Sequence, residues 1–380
     1  MNLLRRRLGK DSKDNMLSHA RDESTPTYST LILGYNTAMA LLLDQMGDEE
    51  KSSVALVTEE KDFLVNHTIN QGLLLFRGEV KKCLEQVNSM ALTLQIAEEA
   101  LEVKYYRDHL FRPISDRLRP HIKLTANEHY FMECGVPYSL NLTSSEKAVN
   151  HFKRSFKSIS FLQECRSWEV AFHDGDSLIA KKLVVAIGPQ RFFQLLTDKS
   201  LFPEDLVTSL GTSKRESVVL LKLTTKQEVF TEKGTLFIPK SLTHELGHFI
   251  GNVSPFSLEQ GVQNAFFFWL PSESESSSDE ITRALKNLKR QLQKVFPRYE
   301  RACVQLQVEE NIYVGQFIPS PIASGMDDYF INLRSIAPSL YFMSMDAPLN
   351  PEYASQYAKS QLLERELLSY QQFSAEVHQQ

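Results

Sequence analysis

Two short stretches carry residue types and spacings suited to chemistry. The first is Gly34-Tyr35-Asn36-Thr37-Ala38-Met39, set between an apolar run at 30–33 and an apolar run at 38–45. In a G-x-G-x-x-G loop the first glycine makes a tight turn and the second lets backbone reach a pyrophosphate. The third lets helix and strand pack closely, and the helix N-terminus faces the phosphates. Here Gly34 holds the first place, Asn36 the second and Met39 the third. Asn tolerates positive φ better than most residues, so the turn can survive, although its side chain crowds a pyrophosphate. Met39 pushes the helix away from the strand unless a small residue lies opposite. An acidic residue about 20 positions on binds ribose hydroxyls in such sites. Glu59 and Glu60 stand at about that distance.

The second stretch is His244-Glu245-Leu246-Gly247-His248. On a helix, H-E-x-x-H puts two histidines on one face for zinc, with the glutamate activating the metal-bound water. The metzincin extension places its third ligand at position 254, which is Ser254, a poor zinc donor. Glu273, Glu275, Asp279 or Glu280 can replace it in principle. Met326 stands where a methionine turn would fall. Gly247 and Gly251 weaken any helix there, and the flanking residues read as strands. Two surface histidines in a loop of the lobe are the plainer reading, with no metal bound.

Stepping outward, residues 30–33, 38–45 and 53–57 spell strand, helix, strand, a βαβ unit with an implied parallel pair. Apolar spacing over 79–112 predicts one or two amphipathic helices packed on that sheet. Residues 168–180 alternate about Asp174-Gly175 and predict a hairpin with a type I′ turn. The hairpin feeds a buried strand that stops at Gly188-Pro189, with a helix from about Gln190. Strands are expected at 217–223, 235–238, 265–270 and 339–343. A helix capped by Ser278 or Asp279 is expected over 280–296, and a closing helix over 352–370. The cations Lys286, Lys289, Arg290 and Lys294 read as its solvated face, as do Lys153, Arg154 and Lys157 elsewhere.

This order resembles the flavin-dependent amine oxidase, protoporphyrinogen oxidase and carotenoid desaturase superfamily. The residues that carry the likeness are the βαβ at Gly34, Leu183-Val184-Val185-Ala186-Ile187-Gly188-Pro189 after its hairpin, and Ser344-Met345-Asp346 after the last strand. The resemblance implies an α/β fold, an FAD/NAD(P)-type Rossmann domain split by an inserted α+β substrate lobe. It implies a discontinuous cofactor domain from 28–200 and 325–370 and a lobe over 201–324, with an arm at 1–27 and a tail at 371–380. It implies FAD held by Gly34, Asn36, Thr37 and Glu59 or Glu60, with Gly188 and Asp346 approaching from the other pieces. The flavin would then take hydride from a C–N or C–C bond of an apolar or amine small molecule. The departures at 36 and 39, and the absence of glycine from 352–358, leave a second reading open. In it the fold persists without its cofactor, as an accessory or scaffold subunit with a protein partner.

Composition supports a folded chain. The sequence has 380 residues, 42% hydrophobic and 23% charged, with net charge −5. Its 15 glycines fall short of the ~27 that an average share of about 7% would give. An acidic chain argues against a nucleic-acid partner. Cys83, Cys134, Cys165 and Cys303 form no CxxC pair and no disulfide framework. The basic start lacks the apolar run of a secretory signal, no stretch is long enough to span a bilayer, and a cytoplasmic location is expected.

Overall fold

A computed structural model describes residues 27–59, 75–76, 92–96, 103–115, 122–123, 136–142, 149–211, 216–242, 246–270, 277–317, 327, 329–344, 347–350 and 362–377. Along the chain come β1 (Thr27–Leu33), α1 (Thr37–Gln45), α2 (Asp48–Ser52), β2 (Val54–Thr58), β3 (Leu75–Phe76) and β4 (Leu92–Ile96). Then come β5 (Lys104–Arg107), β6 (Leu110–Pro113), β7 (Val136–Leu142), β8 (Asn150–Lys153), β9 (Phe156–Leu162), β10 (Ser167–Phe172) and β11 (Ser177–Val185). Next are α3 (Pro189–Leu195), α4 (Glu204–Gly211), β12 (Glu216–Thr225), β13 (Gly234–Ile238), β14 (Phe249–Val253) and β15 (Gln263–Trp269). The remainder is α5 (Ser278–Val295), α6 (Pro297–Val304), β16 (Val308–Phe317), α7 (Tyr329–Ile336), β17 (Leu340–Phe342) and α8 (Leu362–Val377).

The first sheet runs β8-β2-β1-β11-β10-β9, and β17 pairs with the end of β11. Strands β8, β2, β1, β11 and β17 are parallel, while β9 and β10 form an antiparallel meander. The central part of the parallel sheet, at 30–33, 54–57 and 183–185, reads as apolar runs because both faces are covered there. Leu31, Leu33, Val57 and Val185 pack with Phe192, Phe193, Leu206 and Leu333 of α3, α4 and α7. Ile32, Leu56 and Val184 pack on the other face with α1, and with Tyr370 and Phe373 of α8.

The second sheet runs β16-β12-β15-β14-β13-β5-β6 and is antiparallel except at β13–β5. Helices α5 and α6 cover one of its faces, setting Leu288, Leu292, Phe296 and Tyr299 against Val219, Leu221 and Phe267. A small third sheet is ordered β3-β7-β4. The molecule is thus a mixed α/β protein.

Several sequence expectations need correction. Within the stretch expected to be helical, 92–96, 104–107 and 110–113 are strands, and 79–91 lies outside the described residues. β5 and β6 hydrogen-bond in the second sheet, with Tyr105 and Tyr106 on β5. The Asp174-Gly175 hairpin forms, but not with a type I′ turn. Only Gly175 has positive φ, at 99°. Gly175 N–H donates to Phe172 O and Phe172 N–H to Asp176 O, a three-residue loop ending in a left-handed glycine. α5 is capped by Ser277, whose hydroxyl accepts from Glu280 N–H in a capping box. The closing helix is present over Leu362–Val377 and runs past the expected end at 370, while 351–361 lies outside the described residues.

Candidate functional site

The site built by β1, α1, β2 and the end of β11 lies where the parallel strands end. β1 stops at Leu33, and Gly34 turns the chain with φ of 88°. Its N–H donates to Val57 O of β2 at 2.8 Å, while the N–H groups of Ala186 and Ile187 both donate to Leu33 O. A Cβ on Gly34 would lie 2.8 Å from Ile187 Cγ2 and 3.1 Å from Ile187 N. The bare backbone of Gly34 is therefore needed for the approach of this chain's own Ala186–Ile187 peptide.

Asn36 does not use positive φ. Its backbone is extended, at φ −148° and ψ −173°, and its side chain caps α1. Asn36 Oδ1 accepts from Met39 N–H at 3.0 Å, and Nδ2 donates to Met343 O, just after β17, at 2.8 Å. Asn36 is 8% exposed and Met39 fully buried. Met39 does not disrupt the unit, because it fills the core between α1 and the sheet beside Ala38, Ala40 and Met343. One carboxamide thus satisfies one of the free amides at the start of α1 and ties that helix to the residue after β17.

Glu59 follows β2 with its side chain 16% exposed. Its Oε1 accepts from Phe156 N–H at 3.1 Å, and its Oε2 faces Arg191 Nη2 of α3 at 3.4 Å. Gly188, at φ 84°, precedes Pro189 at the first turn of α3. Thr37 is the first residue of α1. Glu60 and Asp346 lie outside the described residues. Gly34, Asn36, Glu59 and Gly188 are thus gathered at one edge, but their groups serve internal contacts. The Asn36 carboxamide takes up one amide of the helix start, that of Met39, and is itself held to Met343 O, so this part of the cradle is filled by the chain's own side chain. Sequence reasoning missed Arg191 and Met343, the partners that close the site.

The zinc-type spacing fares differently. His244 and Glu245 lie outside the described residues. Residues 246–248 are not helical, Gly247 has φ of 97°, and β14 begins at Phe249. His248 is buried between Tyr105 and Phe237, so the helix face that the motif requires is absent at its second histidine. Gly251 is part of β14, where a Cβ would meet the Phe267 ring at 2.5 Å. No cluster of metal-ligating side chains occurs among the described residues. Arg154, from the first basic cluster, pairs with Asp174 and Asp176.

Solved structures share the overall fold. Putrescine oxidase carrying an A394C change matches with a TM-score of 0.55 at 10% identity, over 93% of this chain and 99% of that one. This chain shares its fold with putrescine oxidase. The wild-type putrescine oxidase bound to putrescine matches with a TM-score of 0.51 at 10% identity, over 94% of this chain and all of that one. An oxidoreductase from Methanosarcina mazei matches with a TM-score of 0.50 at 10% identity, over 84% and 94% of the two chains. No family model and no curated protein sequence matches. No helix among the described residues is long and apolar enough to cross a membrane.

Proposed function

We propose that this chain is an oxidoreductase-like protein that keeps the amine oxidase fold but has given up its dinucleotide, and that it works as an accessory or scaffold subunit. The observation that supports this reading is the Asn36 carboxamide. It caps the helix N-terminus and bridges α1 to Met343, so the N- and C-terminal pieces are tied by a direct hydrogen bond at the place where a pyrophosphate would lie. Glu59, the candidate ribose ligand, is likewise engaged by Phe156 N–H and Arg191.

The visible spectrum of the purified chain, and of its supernatant after denaturation, tests this directly. A colourless protein that retains no FAD after incubation and gel filtration is expected. Flavin near one per chain overturns the reading and restores the FAD-dependent oxidase of an apolar or amine small molecule. Asn36→Gly gives a second arm, since it reopens the helix terminus. FAD retained by that variant and not by the parent chain identifies Asn36 as the block.

A further inference from the structure

The three large aliphatic side chains with the greatest exposure among the described residues are Leu306 (90%), Leu258 (89%) and Val304 (80%). They lie at one end of the second sheet. Thr225, the last residue of β12, pairs with both Gln263 and Val308, the first residues of β15 and β16. The turn carrying Leu258 precedes Gln263, and the turn carrying Val304 and Leu306 precedes Val308. With β12 between them, the two turns stand about 10 Å apart.

Leu306 is also held in an unusual backbone state. Gln307 N–H donates to Ala302 O and Leu306 N–H to Cys303 O, a Schellman ending of α6 with Leu306 in the position glycine normally takes. Its φ is 53°. A branched side chain is thus kept in left-handed backbone and projected into water, with no internal contact in return.

A run of cations leads to this tip. Arg283, Lys286, Arg290 and Lys294 of α5 recur at helical spacing, and Arg298 and Arg301 continue the series on α6. All six are exposed, and none forms an ion pair among the described residues. Lys226 N–H bonds Gln307 O, which puts a seventh cation beside Leu306. The acids near this end are Glu259, Glu300, Glu309 beside Asn311, Glu310 paired with Lys289, and Glu228 paired with Lys233. So dense a cationic run on a chain of net charge −5 needs an anionic counterpart. Isolated aliphatic tips beside basic residues suit a bilayer, whose headgroups meet the cations while its acyl region takes the tips.

We propose that this end of the second sheet docks on an anionic lipid bilayer, with Leu258, Val304 and Leu306 inserting shallowly and the α5–α6 cations lying against the headgroups. The proposal does not depend on whether flavin is bound. Flotation of the full chain with phosphatidylcholine vesicles, and with vesicles of equal parts phosphatidylcholine and phosphatidylserine, tests it. Binding to the phosphatidylserine vesicles, weakening as salt is raised, is expected. Leu306→Gly, which suits the backbone and removes the side chain, should lower the partition coefficient about tenfold. Arg290→Glu with Lys294→Glu should lower it more, at about fivefold or greater per residue. Equal binding to both vesicle types, or no binding, overturns the proposal. So does unchanged binding by folded Leu306→Gly. Self-association that Leu306→Gly abolishes, without vesicle binding, would assign the tip to a second copy of the chain instead.

Discussion

Gly34 and Leu306 both hold left-handed backbone, at φ 88° and 53°, and they use it in opposite ways. At Gly34 the missing side chain lets two strand ends of the same chain meet, and the neighbouring polar groups are closed on one another. At Leu306 a full side chain occupies the same backbone region and reaches only water. One region has turned its polar groups on one another. The other displays apolar surface and unpaired charge whose cost no internal contact offsets. A folded chain keeps few such costs without an external return, so the pair separates where this molecule has closed itself from where it faces a partner.

The largest expected effect is at the closed end. Gly34→Ala places a Cβ against Ile187 in a backbone region that disfavours side chains. Strain and overpacking together should destabilise the fold by about 3 kcal/mol, read by denaturant unfolding. A loss below about 1 kcal/mol would mean that the Ala186–Ile187 peptide gives way easily and that the corner is looser than its hydrogen bonds suggest. Asn36→Ala comes next. It removes the cap of α1 and strands the Met343 carbonyl, at about 2 kcal/mol. Asn36→Asp keeps the cap but loses the donor, so it should recover only part of that loss. If Asn36→Asp matches the parent, the bridge to Met343 carries no stability and the two pieces are joined by packing alone.

The parallel strands and α1 were legible in the sequence because strands covered on both faces leave continuous apolar runs at 30–33, 54–57 and 183–185. The helix of α5 was legible from its amphipathic spacing and acidic start. The role of Asn36 was not. Its donor reaches a carbonyl 307 residues away, and no local pattern carries such a partner. β5 and the edge strand β6 were mistaken for helix because half-exposed strands show no clean alternation, leaving apolar spacing of three to four as the stronger signal. β14 was hidden by Gly251 and Asn252, and Gly251 is explained only by the Phe267 ring on the neighbouring strand. The six exposed cations were visible as residues. Their alignment with the aliphatic tip depends on the register of β12, β15 and β16.

A smaller effect tests whether the root of the tip is as fixed as the corner. Tyr299 of α6 is buried and donates to Glu310 Oε1 at 2.7 Å, while Lys289 pairs with the same carboxylate. Tyr299→Phe should cost about 1 kcal/mol, since Glu310 retains Lys289. Burial, then the hydrogen bond and charge of Glu310, push the phenol well above its ordinary 10.0. The folded state therefore holds this proton when the unfolded chain releases it. Its contribution to stability is whole below pH 10 and is lost as pH rises beyond. Tyr299→Phe should flatten the alkaline fall in a pH series of unfolding midpoints. An unchanged slope would mean that the phenol opens to solvent and the tip has no rigid base.

The smallest effect has the opposite sign and bears most directly on the contrast. Leu306→Gly relieves left-handed strain worth roughly 1–2 kcal/mol, against a glycine entropy cost of about 0.5–1 kcal/mol. The variant should be more stable than the parent by about 0.5 kcal/mol, read by unfolding in parallel with Gly34→Ala. Exchanging glycine and side chain at two positions with similar backbone should thus harm the corner and help the tip. If Leu306→Gly destabilises the chain, Leu306 is held by contacts in solution and the tip belongs to the interior economy of the fold. A gain in stability joined to a loss of vesicle binding would mean that the side chain is retained at a cost to the fold for what it touches outside.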